Sequence, residues 1–153
     1  MKMMAAFVVV GLLVPSVVQA QGTEAAIEVT RDVIRTERKA IVATSMALTE
    51  EQATAFWPVY NEYAEARRKI FDQRVQVIQK FAAEYETLTD EQAEALLKES
   101  FDFQQERVKV RRSFTKKFGK VLTGKRVARF FQIDGKIDSI IDFDIARTVP
   151  LVR

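Results

Sequence analysis

The chain is expected to be all-α: a long antiparallel helical hairpin with flanking N- and C-terminal helices. Three observations predict this. Apolar residues recur at helical spacing everywhere after residue 24, and no stretch alternates with the period of two that a half-buried strand needs. Glycine and proline number only five and three in 153 residues, so few points interrupt a helix. One phrase also occurs twice, as Leu48-Thr49-Glu50-Glu51-Gln52 and Leu88-Thr89-Asp90-Glu91-Gln92. Thr-x-x-Gln is a capping box. The Thr hydroxyl accepts from the backbone N–H three residues on, and the Gln side chain accepts from the Thr N–H. Each copy starts a helix, with two acids where the helix dipole favours negative charge.

Residues 1–20 read as a secretory signal peptide. Lys2 gives a positive start, Ala5–Val14 is an apolar run, and Val18-Gln19-Ala20 is a small-residue cleavage pattern, so cleavage is expected after Ala20. The apolar run falls short of the ~20 residues a membrane span needs. An uncleaved N-terminal anchor is the alternative. With no Cys the chain has no acylation site and no disulfide. Removing one Lys and no acid takes the formal charge from +3 to +2, leaving a single helical domain over 21–153.

Four helices are expected there, at about 24–45, 50–86, 90–121 and 124–146. In the first, capped by Thr23, Ile27, Ile34 and Ile41 repeat every seven residues beside Val33 and Ala40. The second starts at the first capping box. Trp57, Ala64, Phe71, Ile78 and Tyr85 form one seven-residue row, and Phe56, Tyr63, Ile70 and Val77 another. Pro58 falls inside it and predicts a kink, since the periodicity continues past it. The third starts at the second capping box. Leu97, Phe101, Val108, Phe118 and Leu122 share one arc, and Leu96, Phe103, Val110, Phe114 and Val121 an adjoining one. So wide an apolar face asks for a second contact: a dimer mate, the last helix or a client. The fourth begins in Leu122-Thr123-Gly124-Lys125-Arg126, a degenerate third copy of the phrase with Arg126 where Gln would stand. Gly135 weakens it locally, and Pro150 blocks helix in the tail. Only Thr87 and Leu88 separate the second helix from the second capping box, which favours an antiparallel pair. Such a hairpin is thin, so a homodimer is expected.

Charge is segregated along the chain. Between Arg107 and Ile133 there are ten basic residues and no acid. Lys109, Arg112, Lys116 and Lys120 make one stripe beside the apolar arc. It reads either as a surface for acidic clients or anionic lipid headgroups, or as a solvated face with cations at a helix C-terminus. Arg67 and Arg74 share a row with Tyr60 and Phe81; they either pair with acids on the opposite arm or line a client surface. Asp134, Asp138 and Asp142 stack at i, i+4, i+8. Carboxylates of this kind bind hard cations, but a straight ladder does not wrap an ion, and pairing with the basic block is favoured. Phe130 and Phe131 bury both rings only if two faces of the last helix are covered, or else serve a hydrophobic binding surface. With no His and no Cys, and no Ser in a nucleophile motif, no catalytic constellation stands out. Zinc lacks its usual ligands. No enzyme activity, no cofactor and no metal are expected.

The doubled LTxxQ phrase, Leu48, Thr49 and Gln52 with Leu88, Thr89 and Gln92, behind an export signal on a helical chain resembles the Spy/CpxP group of LTxxQ-motif periplasmic proteins. Phe56-Trp57-Pro58-Val59-Tyr60 and Arg129-Phe130-Phe131-Gln132-Ile133-Asp134 depart from that pattern and mark a divergent member. The resemblance implies a cradle-shaped helical dimer in the periplasm. It implies an ATP-independent chaperone or an envelope-stress protein, with basic and apolar residues of the concave face holding unfolding clients. Metal-binding members of the wider set use His, so metal sensing is not carried over. The expected client-binding residues are Arg67, Arg74, Lys109, Arg112, Phe114, Lys116, Phe118 and Lys120. The expected partners are unfolded or envelope proteins and a second copy of the chain, with peripheral membrane contact and no nucleic acid. A dedicated inhibitor or modulator of a membrane sensor or other envelope protein is the alternative.

Overall fold

Each repeated phrase starts a helix by the reciprocal bonds its residues predict. Thr49 Oγ1 accepts from the Gln52 N–H at 3.3 Å while Gln52 Oε1 accepts from the Thr49 N–H at 3.2 Å. The corresponding distances at Thr89 and Gln92 are 3.3 and 2.9 Å. The computed structural model describes residues 36–153. The expected signal peptide, its cleavage point and residues 24–35, with Ile27, Val33 and Ile34, lie outside the described residues. Four helices follow: α1 over residues 36–46, α2 over Glu50–Glu84, α3 over Asp90–Phe118 and α4 over Gly124–Ala146. Among the described residues there is no strand, and no helix is long and apolar enough to cross a membrane. The protein is all-α, and residues 38–153 make one compact unit.

Antiparallel pairing of α2 and α3 follows from their cross-contacts. Glu62 meets Lys117 and Lys80 meets Glu99, each at 2.7 Å, so partner numbers fall along α3 as they rise along α2. The rings keep the same order, with Phe56 stacked on Phe118 at 5.4 Å and Tyr63 against Phe114 at 5.2 Å. Helix α2 continues through Pro58. Its buried row is Phe56, Tyr60, Tyr63 and Ile70, whereas Trp57, Phe71, Ile78 and Tyr85 are only half-buried. Helix α3 stops at Phe118, three residues before the expected end, where Gly119 takes the C-cap and its N–H donates to Thr115 O at 3.0 Å. The chain turns there and returns Leu122 to the core.

Helix α4 completes the core. Phe130 is fully buried and its ring lies 4.4 Å from Phe118, with Phe56 and Tyr63 at 5.5 and 5.6 Å. Aromatic pairs of this kind add about 0.5–1.5 kcal/mol each beyond their area burial. Phe131 packs its edge against Tyr63 at 5.9 Å and takes the Arg111 guanidinium over its face at 5.5 Å, so both faces of the Phe130-Phe131 pair are used.

Helix α1 differs from expectation. Its inward row is Arg38, Val42 and Met46, all buried, while Ile41 is 45% exposed and Ala40 lies outside. Its last turn is closed by α4. Arg126 Nη1 donates to Met46 O at 3.1 Å, and Arg129 donates through Nε and Nη2 to Ser45 O at 2.9 and 2.8 Å. Arginines therefore satisfy carbonyls that the helix end leaves unpaired. This explains the degenerate third phrase: Thr123 caps α4 without a side-chain bond, and Arg126, in the Gln position, serves α1 instead.

Gly135 sits inside α4 without positive φ, and a Cβ built there meets only Arg111 Nη2, at 3.6 Å, an ordinary contact. Gly135→Ala is therefore expected to stabilise the protein by about 1 kcal/mol, the helix-propensity difference, read as a higher urea midpoint at unchanged slope.

Candidate functional site

The aspartate ladder of α4 is where the helices converge. Residues four apart lie over one another on a helix face, so Asp134, Asp138 and Asp142 point the same way. Arg38 of α1 donates to Asp134 Oδ1 at 2.6 Å and to Asp138 Oδ1 at 2.7 Å. Arg67 of α2 donates to Asp134 Oδ2 at 3.1 Å and to Asp138 Oδ1 at 2.5 Å. Arg111 of α3 donates to Asp138 Oδ2 at 3.2 Å and, through Nη2, to Phe131 O at the same distance. Tyr63 adds its hydroxyl to Asp134 Oδ2 at 2.7 Å. One turn on, Asp142 accepts from Arg74 and, at 3.0 Å, from Arg107.

Burial makes these contacts consequential. Asp134 is 1% exposed, and Arg38 and Asp138 are also buried. A buried charge is tolerated only when it is paired and hydrogen-bonded. Burial alone would raise the Asp138 carboxyl, but the hydrogen bond and charge of Arg67, with the charge of Arg38, bring it down to about 2. Burial would by itself lower the Arg67 guanidinium, yet its hydrogen bond to Asp138 and the charge of Asp134 raise it, so it stays protonated. Burial raises the Tyr63 hydroxyl, and the Asp134 charge raises it further, which keeps it a donor.

Several expected client-binding residues therefore sit elsewhere. Phe114 and Phe118 are buried in the aromatic core and offer nothing to a client, because Tyr63, Phe56 and Phe130 cover them. Arg67 is committed to Asp134 and Asp138, and Arg74 to Asp142. Both pair with α4, not with the opposite arm of the α2–α3 pair. The aspartates do pair with the basic block, through Arg107 and Arg111, but Arg38, Arg67 and Arg74 from outside it also take part. Among the described residues no group of three carboxylates converges as cation ligands would.

The outer face of α3, where the remaining expected residues lie, stays outside the core. Leu97, Phe101 and Val108 are 55%, 59% and 49% exposed. At about 100° per residue they fall within an arc of about 40°. Arg112, Lys116 and Lys109 continue round the same side of the helix, and all three are exposed, as is Lys120 just past the helix end. Three of the five residues of that apolar arc thus face water, and only its C-terminal part, Phe118 and Leu122, enters the core, where the last helix covers Phe118.

Arg38 was not distinguishable from its neighbours Glu37 and Lys39 as a charge on a wet helix face. The one signal was its spacing of four and eight from Val42 and Met46. No family model, curated protein or solved structure matches this chain.

Two outcomes test the network. Asp138→Asn removes a carboxylate shared by three guanidiniums and is expected to cost about 3–5 kcal/mol, the usual loss when one partner of a buried pair is deleted. Because the folded Asp138 pKa lies below the ordinary 3.8, its contribution to stability is complete above that value and drains away as pH falls toward about 2. Urea midpoints measured from neutral to acidic pH should fall in that window, and less steeply in Asp138→Asn.

Proposed function

We propose that this is an exported, periplasmic, ATP-independent chaperone-like or envelope-stress protein that holds unfolding clients on the outer face of α3. The observation that carries the reading is the exposed apolar strip of Leu97, Phe101 and Val108 running beside the cations Lys109, Arg112, Lys116 and Lys120. Exposed apolar surface rimmed by charge marks interaction sites. Cations draw acidic segments from a distance, and the apolar strip retains them weakly once they arrive. An unfolded chain offers both features in any order, so the surface needs no defined pocket. Client contact runs through these α3 residues and not through Phe114, Phe118, Arg67 or Arg74.

The resemblance to the Spy/CpxP group, carried by the two LTxxQ phrases, supports the periplasmic location and the client-holding role. In this reading α2 and α3 are the arms of a Spy/CpxP-like hairpin, flanked by α1 and α4. A homodimer joins two such units, and the charged strip also permits peripheral contact with an anionic membrane surface. The reaction repertoire is binding alone, without enzyme chemistry, cofactor or nucleic acid.

The test is light scattering of several unrelated, chemically denatured proteins diluted into buffer with and without this protein, in the absence of nucleotide. Suppression across clients is expected. Replacing Lys109, Arg112, Lys116 and Lys120 with Gln should slow capture roughly tenfold, and added salt should do the same to the wild type. Replacing Leu97, Phe101 and Val108 with Gln should abolish suppression without lowering the urea midpoint. No suppression at severalfold excess would overturn the reading in favour of a dedicated partner with one folded target.

A further inference from the structure

At the far end of the aspartate ladder a second feature stands apart from the α3 outer face. A cleft of about 560 Å³ opens between α2, α3, the end of α4 and the chain's last residues. That volume falls within the ~300–1,000 Å³ of small-molecule sites. Its walls are apolar, with Phe81 from α2, Leu96 and Phe103 from α3 and Ile145 from α4, and Val149 and Leu151 of the tail form one side. Arg74, Arg107 and Asp142 also line it. The polar side chains Ser100 and Gln104 hydrogen-bond to each other at 3.3 Å.

The charge balance at Arg74, Arg107 and Asp142 is uneven. Two guanidiniums share one carboxylate, each through Nη1 alone. Among the described residues neither Nη2 nor Nε of either arginine has a protein hydrogen-bond partner; the side chains are 19% and 32% exposed, and these donors are not sealed away from solvent. The neighbouring level of the ladder supplies no spare carboxylate, since Asp134 and Asp138 already face Arg38, Arg67 and Arg111. Arg74 is further held over the Phe103 ring, with its guanidinium carbon 6.0 Å from the centroid. Two oriented guanidiniums with unused donors, beside apolar walls, match a carboxylate on an aliphatic chain.

We infer that the cleft formed by Arg74, Arg107, Phe81, Leu96 and Phe103 binds a single-chain anionic amphiphile, a fatty-acid-like carboxylate. The headgroup sits on Arg74 and Arg107 and the alkyl chain lies along the apolar walls. A peptide ending in an aliphatic residue offers the same carboxylate, but its backbone amides need partners that these walls do not supply. The tail closes one side of the cleft and is fastened at its end by Arg153, which pairs with Glu86 at 2.7 Å and lies 4.9 Å over the Tyr85 ring. Both charged groups of that latch are well exposed, so it holds weakly and lets the tail move aside for entry.

The experiment is calorimetric titration of the purified protein with dodecanoate below its micellar concentration. Dodecan-1-ol, dodecyltrimethylammonium and a short peptide acid ending in leucine serve as parallel titrants. One-to-one saturable binding of dodecanoate is expected, with the alcohol at least about tenfold weaker, as loss of charge-assisted hydrogen bonds implies. Arg74→Gln with Arg107→Gln should abolish binding, and Lys69→Gln with Lys136→Gln, exposed charges elsewhere, should leave it intact. Asp142→Asn keeps both arginines and removes their internal competitor, so it should tighten dodecanoate binding severalfold; this variant decides the matter if the double arginine variant unfolds. Equal binding of the alcohol, tighter binding of the peptide acid, weaker binding by Asp142→Asn, or no saturable binding of dodecanoate would each overturn the inference.

Discussion

Three carboxylates on one face of α4 are the constraint to which the remaining helices answer. Asp134 and Asp138 are removed from water, and a carboxylate there survives only if cations and donors surround it. No single neighbouring helix supplies enough of them. Arg38 comes from α1, Tyr63 and Arg67 from α2, and Arg111 from α3, and each donates to Asp134, to Asp138 or to both. The spacing also sets register. Arg74 lies seven residues after Arg67 and meets the next aspartate along, while Arg107 lies four before Arg111 and meets that same aspartate from the other side. A slide of one helical turn, about 5.4 Å, would leave buried charges unpaired. Apolar rows alone tolerate such slides far better, because one aliphatic contact resembles another.

The network also decides which surfaces are left for binding. Arg67 and Arg111 are consumed by pairing, and the large rings of Phe114, Phe118 and Phe130 are consumed by the core that packs beside it. Among the cations left exposed are those on the outside of α3, next to Leu97, Phe101 and Val108. Between these two in accessibility, the last rung of the ladder has two arginines for one aspartate and opens into an apolar cleft. A dry interior in which every charge is paired, a wet cationic strip and a half-buried cationic cleft thus arise from a single arrangement of like residues. What separates them is how many carboxylates reach each arginine and how much water does.

Much of the layout was legible in the chain itself. The two capping boxes are local devices whose partners lie three residues apart, so nothing distant can alter them. The helical period of the apolar residues and the scarcity of Gly and Pro fixed an all-α reading for the same reason. Boundaries were less secure where distant groups intervene. The row facing inward from α1 is set by Arg38, Val42 and Met46 and not by Ile41, because Arg38 has partners some hundred residues away. The end of α1 is closed by Arg126 and Arg129 of α4, a role that the third, imperfect phrase concealed.

The sequence by itself determined the all-α class, the two capping boxes, the segregation of charge and the absence of His and Cys, since each follows from composition or from residues within a few positions of one another. Only the tertiary structure decided which arginines are interior and which are surface, that Phe114 and Phe118 are core while Leu97 and Phe101 are not, and that Arg74 and Arg107 converge on one carboxylate. Arginines in a basic block have the same local sequence character whether paired or free. The difference is made by desolvation, which depends on what another helix brings to within about 4 Å.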